Sequence, residues 1–337
     1  MKSDAIILRP GRETHVLNRH HAIFKTAVAT FPKAENGDIV EVRSAGGDFL
    51  CYAMLNRDSY SWARAIGFGH GDPMDSIRTA IRNAVDLRKR FFADEDTNAF
   101  RLLNAEGDGL PGVIADRYGD VIVTQFTTLG MDRIRDQVAE MLCEATGLSL
   151  VYDKSTATSR KKEGLEPREE WLKGNGATSF DVRERGITFR IGLEGSQKTG
   201  LFLDQREMRS LVREYAKDRT VLDCCSYVGG FSVAALMGGA VAADAVDYDA
   251  DATPRAQANV AANGIDASRF GAYTEDVFAF LRRQPLPRPY DFIVLDPPAF
   301  AKRSSDIDQA KRAYTDLNRM ALQHLPAGSL LLTCSCS

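Results

Sequence analysis

The sequence predicts an α/β chain: a doubly wound, mostly parallel sheet in its last part, preceded by a small β-barrel and a compact α+β module. Three observations carry that expectation. From about residue 196 the chain repeats strand, glycine turn and helix; residues 77–195 mix helical and strand spacing; residues 1–76 hold short alternating β-branched and aromatic runs broken by turns. A length of 337 residues suits two or three cores better than one.

In the first block, residues 1–76, "IVEV" and "FLCYAM" are joined by "SAGG", a hairpin signal, and the turn-rich "GFGHGDPMD" closes the block. The second, residues 77–195, starts with "DSIRTAIRNAVDLRKRFF". Helical spacing puts Ile77, Ile81, Ala84 or Val85, and Leu87 on one face, and Arg78, Arg82, Arg88 and Lys89 on another. "NAFRLLNAEGDGLPGVIADRYGDVIVTQF" then reads as strands with the turns "EGDGLPG" and "RYGD", and "MDRIRDQVAEMLCEAT" returns to helix. Residues 155–176, containing "SRKKEG", read as an exposed loop. In the third block, residues 196–337, "TVLDCCSYVGGFSVAALMGGA" is a buried strand, a glycine turn and a small-residue helix. "VAADAVDYD", "RFGAYTEDV", "YDFIVLDPPAF" and "GSLLLTCSCS" supply further strand ends, with helices at 253–263 and 307–324 between them.

The balance of 43 basic and 46 acidic residues, with a pI near 6.0, excludes a globally basic nucleic-acid coat but not a local basic groove. No apolar run approaches the ~20 residues of a membrane helix, so no membrane partner is expected. The first 21 residues lack a signal peptide's apolar segment and cleavage site, so the expected location is cytoplasmic. The six cysteines follow no disulfide-scaffold spacing and are read as free thiols. Neither the adjacent Cys224 and Cys225 nor the CxC of Cys334 and Cys336 is a usual ligand spacing, and no metal is expected.

In a doubly wound sheet, ligands collect beyond the carboxyl ends of the strands. After the first strand of the third block, Gly229 and Gly230 of "DCCSYVGGF" allow close backbone approach. After the second comes Asp247, spaced to accept from ribose hydroxyls, and after the third Asp276, placed to accept from an exocyclic amine. Singly, each is an ordinary turn or cap; as an ordered set they outline a nucleoside pocket. The turn is neither GxGxxG nor GxxxxGK[ST], which disfavours dinucleotides and nucleoside triphosphates and leaves S-adenosylmethionine as the leading cofactor.

"DPPAF", residues 296–300, follows the fourth strand. Its two prolines hold a stiff loop offering the Asp296 carboxylate and the Phe300 ring near a methyl donor. A flipped base can meet such a carboxylate on its Watson–Crick edge and the ring on its face. The fifth strand delivers Cys334 and Cys336 beside that loop. Carbon 5 of cytosine is a poor nucleophile, so methylation there needs a thiolate to add at carbon 6. The alternative for both thiols is a small packing residue.

Together "LDCCSYVGGFSVAALMGG", "VDYD", "EDVF", "DPPAF", "SCS", "QKTGLFLDQR" and "EGDGLPGVIADRYGD" resemble the RlmI-like methyltransferases that make 5-methylcytosine in 23S ribosomal RNA. The resemblance covers nearly the whole chain. It implies a PUA β-barrel, a middle α+β domain related to RNA-recognition folds, and a class I, Rossmann-like methyltransferase domain. It also implies a cofactor pocket at Ser226, Tyr227, Gly229, Asp247, Asp276 and Asp296, with S-adenosylmethionine as cofactor and 23S rRNA as partner. Cys336 is then the nucleophile and Asp296 positions or protonates the base, with Pro297 and Phe300 beside it. Lys198, Asp204, Gln205 and Arg206 form a loop at the pocket, and Cys334 is given no role. A homodimer is left open.

Two other functions stay open at this stage. "DPPAF" also resembles loops used for amino-group or guanine ring-nitrogen methylation, which need no thiol, and the fold could serve a non-catalytic RNA-binding protein. A class I sheet ordinarily continues past the fifth strand into a helix and a final antiparallel pair. The chain is therefore expected to be a truncated version of a longer protein, and that form to aggregate or lose activity.

Overall fold

In the computed structural model, which describes residues 5–93, 96–194, 198–301 and 303–335, the alternation of the last block becomes five parallel strands. In chain order they are Thr220–Cys224, Ala242–Asp247, Phe270–Thr274, Phe292–Leu295 and Leu330–Thr333. In space the order is third, second, first, fourth, fifth, every neighbouring pair parallel. Val221, Leu222, Ile293, Val294 and Leu295 are fully buried, which explains why these strands read as continuous apolar runs and not as alternating ones. The order reverses between the first strand and the fourth, and the carboxyl ends of strands at such a switch point are where doubly wound sheets bind ligands.

The helices follow from the same burial. Gly230–Met237 is buried along nearly its whole length, so small Ala234 and Ala235 suit its close approach to the sheet. Ile307–His324 is amphipathic and buries Ala310, Leu317, Met320 and Ala321 along one stripe. A two-stranded ribbon, Ser179–Glu184 and Ile187–Gly192, precedes the sheet in sequence.

By internal contacts the chain divides into two compact units, Met1–Ser179 with Gly192–Gly200, and Phe180–Ile191 with Leu201–Ser337. The first unit contains a six-stranded sheet in which Ile39–Arg43 and Phe49–Leu55 form the expected antiparallel hairpin. It also contains a five-stranded sheet in which Ala99–Asn104, Val113–Tyr118 and Val121–Phe126 pair antiparallel. Met54 and Ile66 of the first sheet pack into the core that the second sheet shares with helix Pro73–Phe91.

Two sequence expectations change here. On helix Pro73–Phe91, Ile77, Ile81, Ala84 and Val85 are buried as expected, but Leu87 is 44% exposed and Arg88 faces inward. At 100° per residue Arg88 lies only about 20° from Ile77, whereas Leu87 lies about 80° off. The Arg88 guanidinium forks onto Asp108 at 2.6 and 2.7 Å, and its Nε donates to the Arg101 carbonyl at 3.1 Å. Its bidentate partner makes this inward position tolerable.

Residues 155–176, read as an exposed loop, instead hold a 3-10 turn, Thr158–Glu163, and a sheet strand, Arg168–Lys173. Arg160 and Glu163 are buried. Arg160 donates to Asp132 at 2.9 Å, to the Glu166 carbonyl at 2.8 and 3.0 Å, and to the Phe126 carbonyl. Glu163 accepts from Asn56 at 2.7 Å and Ser59 at 2.5 Å and pairs with Arg64 at 2.9 Å. Local polarity suggested solvent; partners distant in sequence made burial affordable.

Candidate active site

The first strand ends in Asp223 and Cys224, and the chain then turns through "CSYVGG" into helix Gly230–Met237. Cys225, Tyr227 and Gly229 have φ of 59°, 49° and 71°. The left-handed region is unfavourable for residues with a Cβ, so Cys225 and Tyr227 are held there by their surroundings. The Tyr227 amide donates to Asp247 at 2.7 Å, the Ser226 amide to the Val246 carbonyl at 3.1 Å, and the Gly229 amide back to the Ser226 carbonyl at 2.9 Å. At Gly229 a Cβ would stand 2.8 Å from the Ala256 Cβ, so only glycine fits.

Two residues that the sequence reading passed over brace this loop. Asp223, fully buried, accepts from the Ser232 amide and hydroxyl, both at 2.9 Å, tying the strand to the helix start. Burial pushes its carboxyl up to about 7, with the Ser232 donors opposing the shift only in part. Asn259, also fully buried, donates to the Val228 carbonyl at 2.9 Å and accepts from the Arg190 amide at 2.7 Å. The ribbon, helix Ala252–Ala262 and the glycine loop are thereby registered to one another. Polar residues near the end of a strand and inside a helix carry no local signal of such bracing.

Asp247 accepts from the Tyr227 amide through one carboxylate oxygen and from the Asp249 amide, at 2.9 Å, through the other. Asp276, exposed, caps helix Val277–Phe280 by accepting from the Ala279 amide at 3.0 Å. Both carboxylates keep further lone pairs for hydroxyl or amine donors. The four acids Asp223, Asp247, Asp276 and Asp296 all act on the Cys225 thiol, which burial, ahead of those charges, pushes up to about 12. The pocket is therefore electronegative.

On the other side of the switch point, Asp296 follows Leu295. Its amide donates to the Cys224 carbonyl at 3.3 Å, and both its carboxylate oxygens accept from the Gln205 side-chain amide at 3.1 Å. The register of Leu295 with Thr333 brings the fifth strand's end beside it, and the Cys334 amide donates to the Leu295 carbonyl at 2.8 Å. Burial, ahead of the Asp296 charge, pushes the Cys334 thiol up to about 11, with a hydrogen bond from Gln205 working the other way. Pro297 is buried, and Phe300 packs its ring against Tyr314 at 4.7 Å and Phe278 at 6.2 Å. Cys336 lies outside the described residues.

The expected loop residues separate. Gln205 reaches the site and Asp204 is exposed beside it in a 3-10 turn, Leu203–Gln205. Arg206 is 7% exposed and pairs with Glu184 at 3.3 Å. Arg209 completes that buried cluster, donating to Glu184 at 2.7 and 2.8 Å and to the Phe202 carbonyl at 3.0 Å. Lys198, with φ of 48°, belongs to the first unit, where its charge opposes the rise that burial imposes on the Asp116 carboxyl. Among the described residues no cluster of metal-ligating side chains occurs, and no helix is long and apolar enough to cross a membrane.

A parallel sheet with a left-handed glycine loop after its first strand, an acid after its second and an Asp-Pro-Pro turn after its fourth defines a class I methyltransferase site. Comparison with known proteins agrees. Residues 152–336 match the family model of S-adenosylmethionine-dependent methyltransferases, and residues 6–68 match a PUA-like domain. The chain is 37% identical to Ribosomal RNA large subunit methyltransferase I of Alteromonas mediterranea, covering 99% of this chain and 85% of that protein. It is 35% identical to the protein of the same name from Escherichia coli, covering 98% and 85%. A putative SAM-dependent methyltransferase from Streptococcus mutans superposes with a TM-score of 0.79 at 26% identity, covering 98% of this chain and 85% of that one. SMU.776, a putative methyltransferase complexed with SAH, gives 0.81 at 27%, covering 99% and 86%. The chain belongs to the ribosomal RNA large subunit methyltransferase I family, a PUA-containing branch of the S-adenosylmethionine-dependent methyltransferases, and S-adenosylmethionine is its cofactor.

Proposed function

We propose that this enzyme methylates carbon 5 of a cytosine in 23S ribosomal RNA through a covalent adduct with the Cys336 thiolate. The observation that carries the reading is the juxtaposition of Asp296 with the end of the fifth strand, where Cys334 hydrogen-bonds to Leu295 and the SCS sequence follows. Ser226, Tyr227, Gly229, Asp247 and Asp276 are the residues proposed to hold the cofactor. The crowding at Gly229 and the convergent acids fit a nucleoside carrying a positive sulfonium. When bound, S-adenosylmethionine supplies an electrophilic methyl group.

In this reading Cys336 adds as a thiolate to carbon 6 of the base, and electron density moves onto carbon 5, which takes the methyl group. Asp296 meets ring nitrogen 3, where it holds the proton that balances the developing negative charge. A base then removes the carbon 5 proton and the thiolate leaves. Gln205 keeps the Asp296 carboxylate oriented. The adjacent Pro297 and Pro298 that follow Asp296 stiffen the loop. The PUA and middle domains are proposed to supply RNA contacts.

Cys336→Ala tests the chemistry. Loss of methylation of large-subunit rRNA, with cofactor affinity retained, is expected. Undiminished methylation would transfer the assignment to an amino group or guanine ring nitrogen, for which the "DPPAF" loop suffices without a thiol. A protein that binds no S-adenosylmethionine would instead be a non-catalytic RNA binder.

A further inference from the structure

The first strand of the parallel sheet, Thr220–Cys224, carries Asp223 among apolar neighbours, where a carboxylate is costly to bury. Asp223 is nevertheless fully buried. It lies level with Ala245 on the second strand and with Val294 on the fourth. Because side chains alternate with a period of two, Asp247 and Asp296, each two residues further on, fall on the same face, about 7 Å nearer the carboxyl edge. The ladder is kept that far by the Asp296 amide, which donates to the Cys224 carbonyl at 3.3 Å. Acids from three adjacent strands therefore converge at one end of the sheet.

The three differ in their partners. The oxygens of Asp247 accept from the Tyr227 and Asp249 amides, and both oxygens of Asp296 accept from Gln205. Asp223 receives the Ser232 amide and hydroxyl on a single oxygen, and its other oxygen is buried with no hydrogen-bond partner among the described residues. A carboxyl so placed favours its neutral form. Burial, opposed in part by the Ser232 donors and reinforced by the Asp296 and Asp247 charges, holds it at about 7. Other groups face it too. Cys225 follows on its own strand and Cys334 comes from the fifth; burial raises both thiols, and the Asp223 charge raises them further. Asp276 stands after the third strand. From helix Arg206–Tyr215, an Arg209 guanidinium nitrogen comes within 3.8 Å of where a Cβ at Gly230 would stand, but that cation is already paired with Glu184.

A sulfonium methyl donor is a cation at sulfur, and methyl transfer removes that charge. We propose that Asp223 is a specificity determinant that reads this difference, releasing its proton to bulk water when S-adenosylmethionine binds and taking one back when S-adenosylhomocysteine is left. A positive charge near the carboxyl favours the ionised form, so S-adenosylmethionine binds more tightly as pH rises through the range in which Asp223 titrates. The product lacks the sulfonium charge and gains little. The site thereby holds the fresh cofactor in preference to the spent one, increasingly so toward alkaline pH. This goes beyond the choice of RNA target and rests on the reading that these strand ends hold the cofactor.

Calorimetric titration of the full chain with S-adenosylmethionine and with S-adenosylhomocysteine, from about pH 6 to about pH 8, gives the ratio of the two Kd values. Wild type and Asp223→Asn are compared at each pH, which cancels the titration of the ligands' own amino groups. Asparagine keeps an acceptor for Ser232 and cannot ionise. Relative to that variant, the wild-type ratio is expected to move in favour of S-adenosylmethionine by roughly tenfold across the window, the scale for unit charges about 10 Å apart at an effective dielectric of about 20. An equal pH response in the two proteins would overturn the proposal. If Asp223→Asn does not fold, infrared difference spectra of the wild type on the acid side of the window decide. S-adenosylmethionine should remove a protonated-carboxyl band that S-adenosylhomocysteine leaves in place; a band that neither ligand changes would overturn the proposal. Gly229→Ala tells the two ways of failing apart. If it weakens both ligands while the ratio stays flat with pH, the cofactor pocket stands and the role of Asp223 falls; if it leaves both affinities unchanged, the pocket assignment falls and this inference with it.

Discussion

The Gln205 side-chain amide donates to both carboxylate oxygens of Asp296, at 3.1 Å each, across 91 residues of sequence. Gln205 is itself fixed, because helix Arg206–Tyr215 starts at the next residue and its Arg206 and Arg209 are locked onto buried Glu184. The Asp296 carboxylate is thereby held in place from a second, anchored element.

Replacing Gln205 should lower turnover without disturbing cofactor affinity. Gln205→Ala is expected to reduce kcat by up to about 100-fold, the scale on which small misplacements act. Gln205→Glu should be worse, since a second carboxylate would repel Asp296. Initial rates at saturating cofactor and calorimetric titration check both; equal kcat for all three proteins would remove Gln205 from the reaction.

The two thiols after the fifth strand, Cys334 and Cys336, should behave oppositely. With its thiol at about 11, Cys334 is ionised to only about one part in ten thousand at pH 7, too little for a nucleophile. Cys334→Ala is expected to keep activity within about threefold, because Cys is a small packing residue here. Trapping with 5-fluorocytosine RNA and mass spectrometry of the adduct should find the cross-link on the peptide only when Cys336 is present. An adduct on Cys334 would reverse the assignment.

What the sequence made legible was local chemistry. The glycine turn, the acids after the second and third strands, and Asp-Pro-Pro are each readable because their residue types are needed within a few positions of a strand end. What it hid was pairing at a distance. Arg88 reads as a surface cation until Asp108 is found beneath it, and Arg160 and Glu163 read as loop until Asp132 and Ser59 supply partners. Arg206 likewise has a partner, Glu184, that lies 22 residues upstream.

Asp223 should impress a pH dependence on stability. The folded protein holds its carboxyl at about 7, whereas the unfolded chain releases the proton near the usual 4. Between those values the native state binds more protons, so stability falls as pH rises from about 4 to about 7 and is flat above, by roughly a few kcal/mol in all. Asp223→Asn removes that slope. Thermal midpoints of the two proteins measured from pH 4 to 8 should converge or cross within this window; parallel curves would mean that the carboxyl ionises normally.

Gly229→Ala should weaken cofactor binding through crowding as well as backbone strain. A methyl group there meets the Ala256 Cβ at 2.8 Å, and φ is 71°. The helix carrying Ala256 also carries Asn259, which holds the Val228 carbonyl, so the loop cannot retreat without breaking that bond. Strain alone is worth about 1 kcal/mol. Gly264→Ala supplies the control: its φ is 66°, and nothing lies within 4 Å of the added carbon. Both variants should lose comparable stability from the backbone, but only Gly229→Ala should raise the Kd for S-adenosylmethionine, by tenfold or more if the loop shifts by the few tenths of an ångström that the contact demands. Matching Kd values for the two variants in calorimetry would mean that the glycine loop does not touch the cofactor.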